Sequence, residues 1–136
     1  MDWSDVIPHL TGYAHLATAD ATGVPHVSRV ATVERDGDLV FFSNWSSKKV
    51  RNIAANPRVS IMFAPMAEAY LQGPVDLVDD HDAKSELWNS GLLSYDPAAF
   101  FQTAENPDLV LVVVHPASAS VMTMDAQGPH VTRWAR

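Results

Sequence analysis

The chain has no cysteine. That excludes a disulfide framework, a thiolate nucleophile and any zinc centre built on cysteine ligands, so packing alone must hold the fold. Basic residues are scarce: nine Lys and Arg stand against sixteen Asp and Glu, giving a formal charge of −7 and a pI near 5.1. This balance argues against a phosphate backbone or an anionic membrane, so neither nucleic acid nor membrane is an expected partner. Long hydrophobic runs are missing too. The longest, Leu109 to Val114, falls well short of the roughly 18 residues a membrane helix needs, and the opening Met-Asp-Trp-Ser-Asp has no basic leader. A cytoplasmic location is the expectation. Charge blocks, internal repeats and low-complexity stretches are also absent. With 47% apolar and 18% charged residues over 136 positions, the composition is that of one globular domain covering residues 1–136.

What is present is a succession of short β patterns separated by turns. Tyr13 to Ala19 alternates and ends in Asp20-Ala21-Thr22-Gly23, Val24 to Glu34 runs β-branched and apolar as far as Arg35-Asp36-Gly37-Asp38, and Leu39 to Ser43 follows at once. These three read as an antiparallel meander of the kind that curls into a small barrel. Further strands are predicted at Arg58 to Phe63, Ala69 to Val78 and Leu109 to His115, and a closing hairpin at Ala119 to Met124 and His130 to Trp134. Gly73-Pro74 marks a bulge or an edge, and the apolar run from Leu109 is either buried on both faces or lies at a subunit contact. Helices are expected over Asp2 to Leu10, from a Ser46 or Ser47 cap through Ala55, over Asp79 to Leu93 and over Pro97 to Thr103.

Four of the nine cations, Lys48, Lys49, Arg51 and Arg58, crowd one short stretch of an otherwise acidic chain. Lys48 and Lys49 fall in the first turn of a predicted helix, where the dipole repels them by about 0.3 to 1 kcal/mol each, a cost that a bound anion reverses. Ser43, Ser46 and Ser47 place hydroxyls beside the free N–H groups of the same turn. The plain alternative is a solvated helix face. Arg29, inside Val27-Ser28-Arg29-Val30-Ala31, either points to solvent or meets an anion at the barrel wall. Ser28 and His26 share a strand face, but no acid is placed to orient the histidine, so hydrolase chemistry is not favoured. No histidine and carboxylate show the spacing of a helical metal motif, and no metal is expected. Trp45, Trp88 and Tyr95 either line a pocket above a planar group or pack in the core.

The run Phe41-Phe42-Ser43-Asn44-Trp45-Ser46-Ser47-Lys48-Lys49, continuing through Ile53 and Asn56-Pro57-Arg58-Val59-Ser60 to Phe63, resembles the pyridoxamine 5'-phosphate oxidase-like flavin-binding split barrels. Leu16-Ala17-Thr18 with Gly23 and Pro25 is similar to that family's opening hairpin, and the likeness extends over Tyr13 to Val78. The resemblance implies a mainly β fold with short helices, a six-stranded antiparallel split barrel that dimerises with FMN at the subunit interface. It implies further that Arg29, Lys48 and Lys49 hold the flavin phosphate and that Ser47 assists. Phe42 and Ser43 would contact the ribityl or ring portion, main-chain groups of Val30, Ala31 and Thr32 would lie beside the flavin, and Glu68 or Gln72 would stand near the isoalloxazine.

The expected activity is that of a small flavin-dependent oxidoreductase acting on a small-molecule redox substrate, with no catalytic side chain assigned, because the coenzyme carries the chemistry. A non-catalytic flavin-binding module is the alternative. Lys49-Val50-Arg51-Asn52-Ile53 resembles a branch that uses the deazaflavin coenzyme F-420, whereas Glu86-Leu87-Trp88-Asn89 is similar to the general-stress-protein branch, which favours FMN. Two departures set the chain apart from a true pyridoxamine phosphate oxidase: Glu34 replaces a lysine, and the C-terminal Arg-Leu-His segment is missing, though His130 to Trp134 could reach a partner's flavin.

Overall fold

The computed structural model describes residues 1–11, 13–64 and 68–136. At the N-terminus, α1 (Trp3–Val6) gives way at Pro8 to a 3-10 turn over Ile7–His9. The meander begins with β1 (Ala14–Ala19) and β2 (Pro25–Val30), paired antiparallel from Ala14↔Val30 to Ala19↔Pro25. The strand expected to run on to Glu34 breaks at Ala31 and Thr32, and its remainder, β3 (Val33–Arg35), pairs instead with β4 (Asp38–Asn44). Asp36 and Gly37, at φ 53° and 91°, make the two-residue turn between them, a left-handed pair that suits the strand twist. Glu34 fastens this corner, accepting hydrogen bonds from the Trp3 indole N–H (3.1 Å) and the Gly37 N–H (2.9 Å).

Helix α2 (Lys48–Ala55) leads into β5 (Arg58–Phe63) and the long β6 (Glu68–Val78). Two short helices, α3 (His81–Trp88) and α4 (Pro97–Phe101), precede β7 (Leu109–Val114) and the closing hairpin of β8 (Ser118–Asp125) and β9 (Gly128–Ala135). The strands run in the order β2-β1-β5-β6-β7-β4-β3, with β8 and β9 added beside the first half of β6. The chain therefore forms the expected antiparallel split barrel, mainly β with short helices. The eight strands read one by one from the sequence become nine among the described residues because the second of them divides in two.

Strand β6 is central rather than an edge. Its one side pairs with β5 from Ala69 to Pro74, while its other side changes partner from β8 at Gln72 to β7 at Val75. Gly73 and Pro74 occupy the changeover, where a missing N–H is tolerated. Strand β7 is buried on both faces: Val110, Val112 and Val114 face the barrel core with Phe41 and Leu71, whereas Leu109 and Leu111 join Val40, Phe42, Leu87 and Phe101 in a second cluster beneath α3 and α4. Adjacent β4 residues Phe41 and Phe42 thus serve different cores, which places Phe42 under α4.

Lys84, buried on α3, donates to Asp79 (2.8 Å) and to the Leu109 carbonyl (3.1 Å), tying the helix to β7. The hydrogen bond from Lys84, helped by the Trp45 indole, holds the Asp79 carboxyl below its ordinary value. At the turn after β7, His115 lies between Asp38 and Asp76, each 2.8 Å from a ring nitrogen. Burial pushes the imidazole pKa down, but the hydrogen bonds its N–H groups donate to the two carboxylates outweigh it and raise the value above the ordinary 6.5. A raised folded pKa stabilises the fold fully below the unfolded value and loses that contribution as pH climbs through the folded one. The denaturation midpoint is accordingly expected to fall between about pH 6 and about pH 9 by more in the parent chain than in His115→Gln. Identical pH slopes for the two proteins would remove the ion-pair role.

Candidate functional site

The site begins where β4 ends. The Trp45 N–H donates to the Asp108 carbonyl (2.8 Å), and the Ser46 N–H (3.1 Å) and hydroxyl (2.6 Å) both donate to the Asp108 carboxylate, pinning the turn to the loop before β7. Ser46, expected among the anion donors, is thus committed elsewhere. Ser47 caps α2: its hydroxyl donates to the Asn44 carbonyl (2.8 Å) and accepts from the Val50 N–H (3.4 Å), with the Ser43 hydroxyl 3.1 Å away. Capping uses the Val50 N–H. The first two N–H groups of the helix, those of Lys48 and Lys49, have no acceptor within it.

Beside this helix start lies a cavity of about 350 Å³. Its walls bring together seven residues named from the sequence: Arg29, Val30 and Ala31 from the end of β2, Phe42 and Ser43 from β4, and Ser47 and Lys49 from the start of α2. Tyr95, considered for a pocket on sequence grounds, is also there, together with Tyr13, Asn44, Phe100 and Phe101. Nothing local in the sequence marks these last four. Three expected residues lie off the wall. Thr32 sits in the break between β2 and β3. Lys48 is exposed and contributes, behind stronger hydrogen bonds from Val24 and Thr22, to the lowered pKa of Asp20 in the β1–β2 turn. Glu68 opens β6 opposite Met122 and accepts a hydrogen bond from the Tyr70 hydroxyl. Gln72, two residues beyond Tyr70, is likewise off this wall. Trp45 and Trp88 pack against the two cores instead.

The electrostatics of the cavity centre on Lys49. It is half-buried, burial pushes its ammonium pKa down, and it makes no ion pair among the described residues. Arg29, exposed at the mouth, also lacks a carboxylate partner among them and holds its guanidinium 5.2 Å from the Tyr13 ring centroid. Two cations, the free Lys49 N–H at the helix start and a serine hydroxyl around one cavity make a fitting receptacle for a phosphate monoester. The floor beyond is aromatic: Phe42 packs on Phe101 with ring centroids 6.0 Å apart, and the two are 5% and 8% exposed. Ser28 and His26 provide no rival centre, since Ser28 Oγ and His26 Nδ1 are buried without a hydrogen-bond partner.

Comparison with known proteins gives this arrangement a lineage. The family model described as pyridoxamine 5'-phosphate oxidase matches residues 9–132. A pyridoxine/pyridoxamine 5'-phosphate oxidase from Anaeromyxobacter dehalogenans is 39% identical over 80 residues, covering 56% of this chain and 40% of its own length. The chain thus spans about two fifths of the length of that curated relative. Among solved structures, general stress protein 26 from Bacillus anthracis superposes with a TM-score of 0.74 at 20% identity, over 96% of this chain and 97% of its own. An F420 reductase superposes with a TM-score of 0.61 at 28% identity, over 86% of this chain and 94% of its own. With nearly the whole chain inside the family match and the barrel shared across these structures, the protein belongs to the pyridoxamine 5'-phosphate oxidase family.

Proposed function

We propose that this chain is a small oxidoreductase that binds FMN in the cavity beside α2, with a small-molecule redox substrate. The observation that carries the reading is the half-buried Lys49 ammonium, without a carboxylate, at the start of a capped helix. A charge held there with no counter-ion is costly unless an anion arrives. Lys49, through its ammonium and its N–H, and Arg29 would grip the phosphate, and Phe42 with the Ser43 main chain would border the ribityl and ring portion. The Val30 and Ala31 main chain would complete the wall. Ser47 would act by fixing the helix start. The isoalloxazine would supply the electron and hydride chemistry, so no side-chain nucleophile is needed. Glu34, bound to Trp3 and Gly37, serves the fold, which favours a substrate other than pyridoxamine phosphate.

The active form in this reading is a homodimer in the cytoplasm; among the described residues no helix is long and apolar enough to cross a membrane. One cross-strand row, Arg29–His15–Met62–Tyr70–Ser120–Arg133, crosses the outer face of six strands, flanked by Val27 and Val131, which are 65% and 52% exposed. A second copy packed on this face would cover those apolar side chains. Glu68 lies on the same face, so any contact it makes with an isoalloxazine would be with the partner's coenzyme, and Lys48 and Thr32 would act only at longer range.

Coenzyme F-420 is the second reading, favoured by the 28% identity to an F420 reductase, and it too brings a phosphate to the basic turn. The visible spectrum of the purified protein separates a flavin, a deazaflavin and a coenzyme-free module. Titrating the stripped protein with FMN and with riboflavin tests the phosphate contact: FMN is expected to bind at least about tenfold more tightly. Equal affinities would overturn the assignment.

A further inference from the structure

We propose that Tyr13 is a positioning residue for phosphate recognition: its ring holds the Arg29 guanidinium at the cavity mouth and leaves the guanidinium N–H groups for the anion. The inference rests on the coenzyme reading above and deepens it.

The placement follows from strand register. Arg29 faces His15 across the β1–β2 pair, and the pairing closes with Ala14 against Val30. Continuing the alternation of β1 by one residue puts Tyr13 on the outer face with His15 and Arg29, diagonal to the arginine. Diagonal neighbours stand about 7 to 8 Å apart, a gap that an aromatic and a long side chain can bridge. They do bridge it: the guanidinium carbon lies 5.2 Å from the Tyr13 ring centroid, within the range of about 6 Å over which a ring face attracts a cation. Val30, next on β2, turns into the core at 8% exposure, and the strand breaks at Ala31. Arg29 is therefore the last outward side chain of its strand, beside the cavity it lines.

The two cations of the cavity are held differently. Lys49 is half-buried on α2, whereas Arg29 is exposed, with no carboxylate among the described residues to fasten it. An unfastened guanidinium loses rotamer freedom when it closes on an anion, a cost that pre-organisation removes. A carboxylate would fasten it too, but would occupy the fork of N–H donors and cancel the charge a phosphate requires. An aromatic face attracts the cation through its quadrupole and leaves the fork unpaired. Tyr13 is 57% exposed, so core packing does not account for it, and it lines the cavity together with Arg29.

The test titrates FMN and riboflavin into the stripped parent protein, Tyr13→Leu and Tyr13→Phe, and repeats Tyr13→Leu in an Arg29→Gln background. Tyr13→Leu is expected to weaken FMN by about fourfold and riboflavin by less than about 1.5-fold, with Tyr13→Phe within about 1.5-fold of the parent for both. Once Arg29 is replaced, Tyr13→Leu should cost FMN nothing further. Equal losses of FMN and riboflavin would make Tyr13 a contact of the ring portion, and a Tyr13→Phe protein as weak as Tyr13→Leu would give the role to the hydroxyl. A fourfold loss persisting without Arg29 would remove the coupling, and a Tyr13→Leu dimer that dissociates on gel filtration would make Tyr13 a subunit contact. Each of these overturns the positioning role. If the parent binds no FMN, or holds riboflavin equally well, the coenzyme reading falls and inorganic phosphate becomes the probe, followed by the Arg29 Nε–Hε resonance of the coenzyme-free chain. A phosphate-dependent shift that weakens in Tyr13→Leu upholds the positioning role there, whereas no shift, or one that Tyr13→Leu leaves unchanged, overturns it.

Discussion

Gly73→Ala is expected to destabilise the fold by roughly 3 kcal/mol or more, lowering the thermal midpoint by about 10 °C. A β-carbon at this position would stand 2.1 Å from the His115 carbonyl oxygen, 2.9 Å from its carbon and 3.1 Å from the Ala117 nitrogen. All three are backbone atoms. They belong to the turn that carries the chain from β7 to β8, and on either side of it the His115 N–H donates to Pro74 (2.9 Å) and the Ala117 N–H to Gln72 (2.8 Å). Making room would stretch both bonds and pull His115 from Asp38 and Asp76. Gly23→Ala is the control: nothing lies within 4 Å of its β-carbon, and only its φ of 89° opposes the change, so a loss of about 1 kcal/mol is expected there. Chemical denaturation of both variants checks the ordering. A Gly73→Ala protein as stable as Gly23→Ala would show that the β6 crossing is looser than described.

Lys49→Ala is expected to weaken FMN at least about tenfold, because a charge-assisted bond in a partly buried site is worth about 1.5 to 3 kcal/mol. Lys48→Ala, on the exposed side of the same helix turn, should change affinity by no more than about threefold. Stability should move the other way. Burial depresses the Lys49 pKa and no carboxylate compensates among the described residues, so the charged form burdens the empty fold at neutral pH, a burden relieved as pH rises through the folded pKa. Lys49→Met should therefore keep or raise the midpoint of the stripped protein while abolishing the preference for FMN over riboflavin. If Lys48→Ala alone removed that preference, the phosphate would be held outside the cavity.

The elements themselves were legible in local chemistry. Alternation in Ala14–Ala19 fits a strand with one buried face, Asp36-Gly37 demands a left-handed turn, and Ser47 before Lys48-Lys49 marks a capped helix with cations where the dipole disfavours them. Each signal is read within a few residues of itself. That is why the strands, the turns and the basic helix start could be named from local chemistry, whereas the split barrel and most of the cavity wall were named from the resemblance to a known family.

Which members of each cluster face the cavity was decided by contacts between distant parts of the chain. Lys48 and Lys49 are identical and adjacent, and only the packing of α2 turns one outward and the other to the cavity. Ser46 and Ser47 part company because Asp108, far along the chain, takes the first. Gly73 reads as a bulge or an edge until His115 is brought against it, and Phe100 reads as one more apolar residue until α4 folds over Phe42. Amino-acid order determined the repertoire of strands, turns and charges through steric and dipolar preferences that act over one or two turns of chain. Burial and charge pairing depend on neighbours that only the folded barrel supplies, and they set Lys49 apart from Lys48 and Ser47 apart from Ser46.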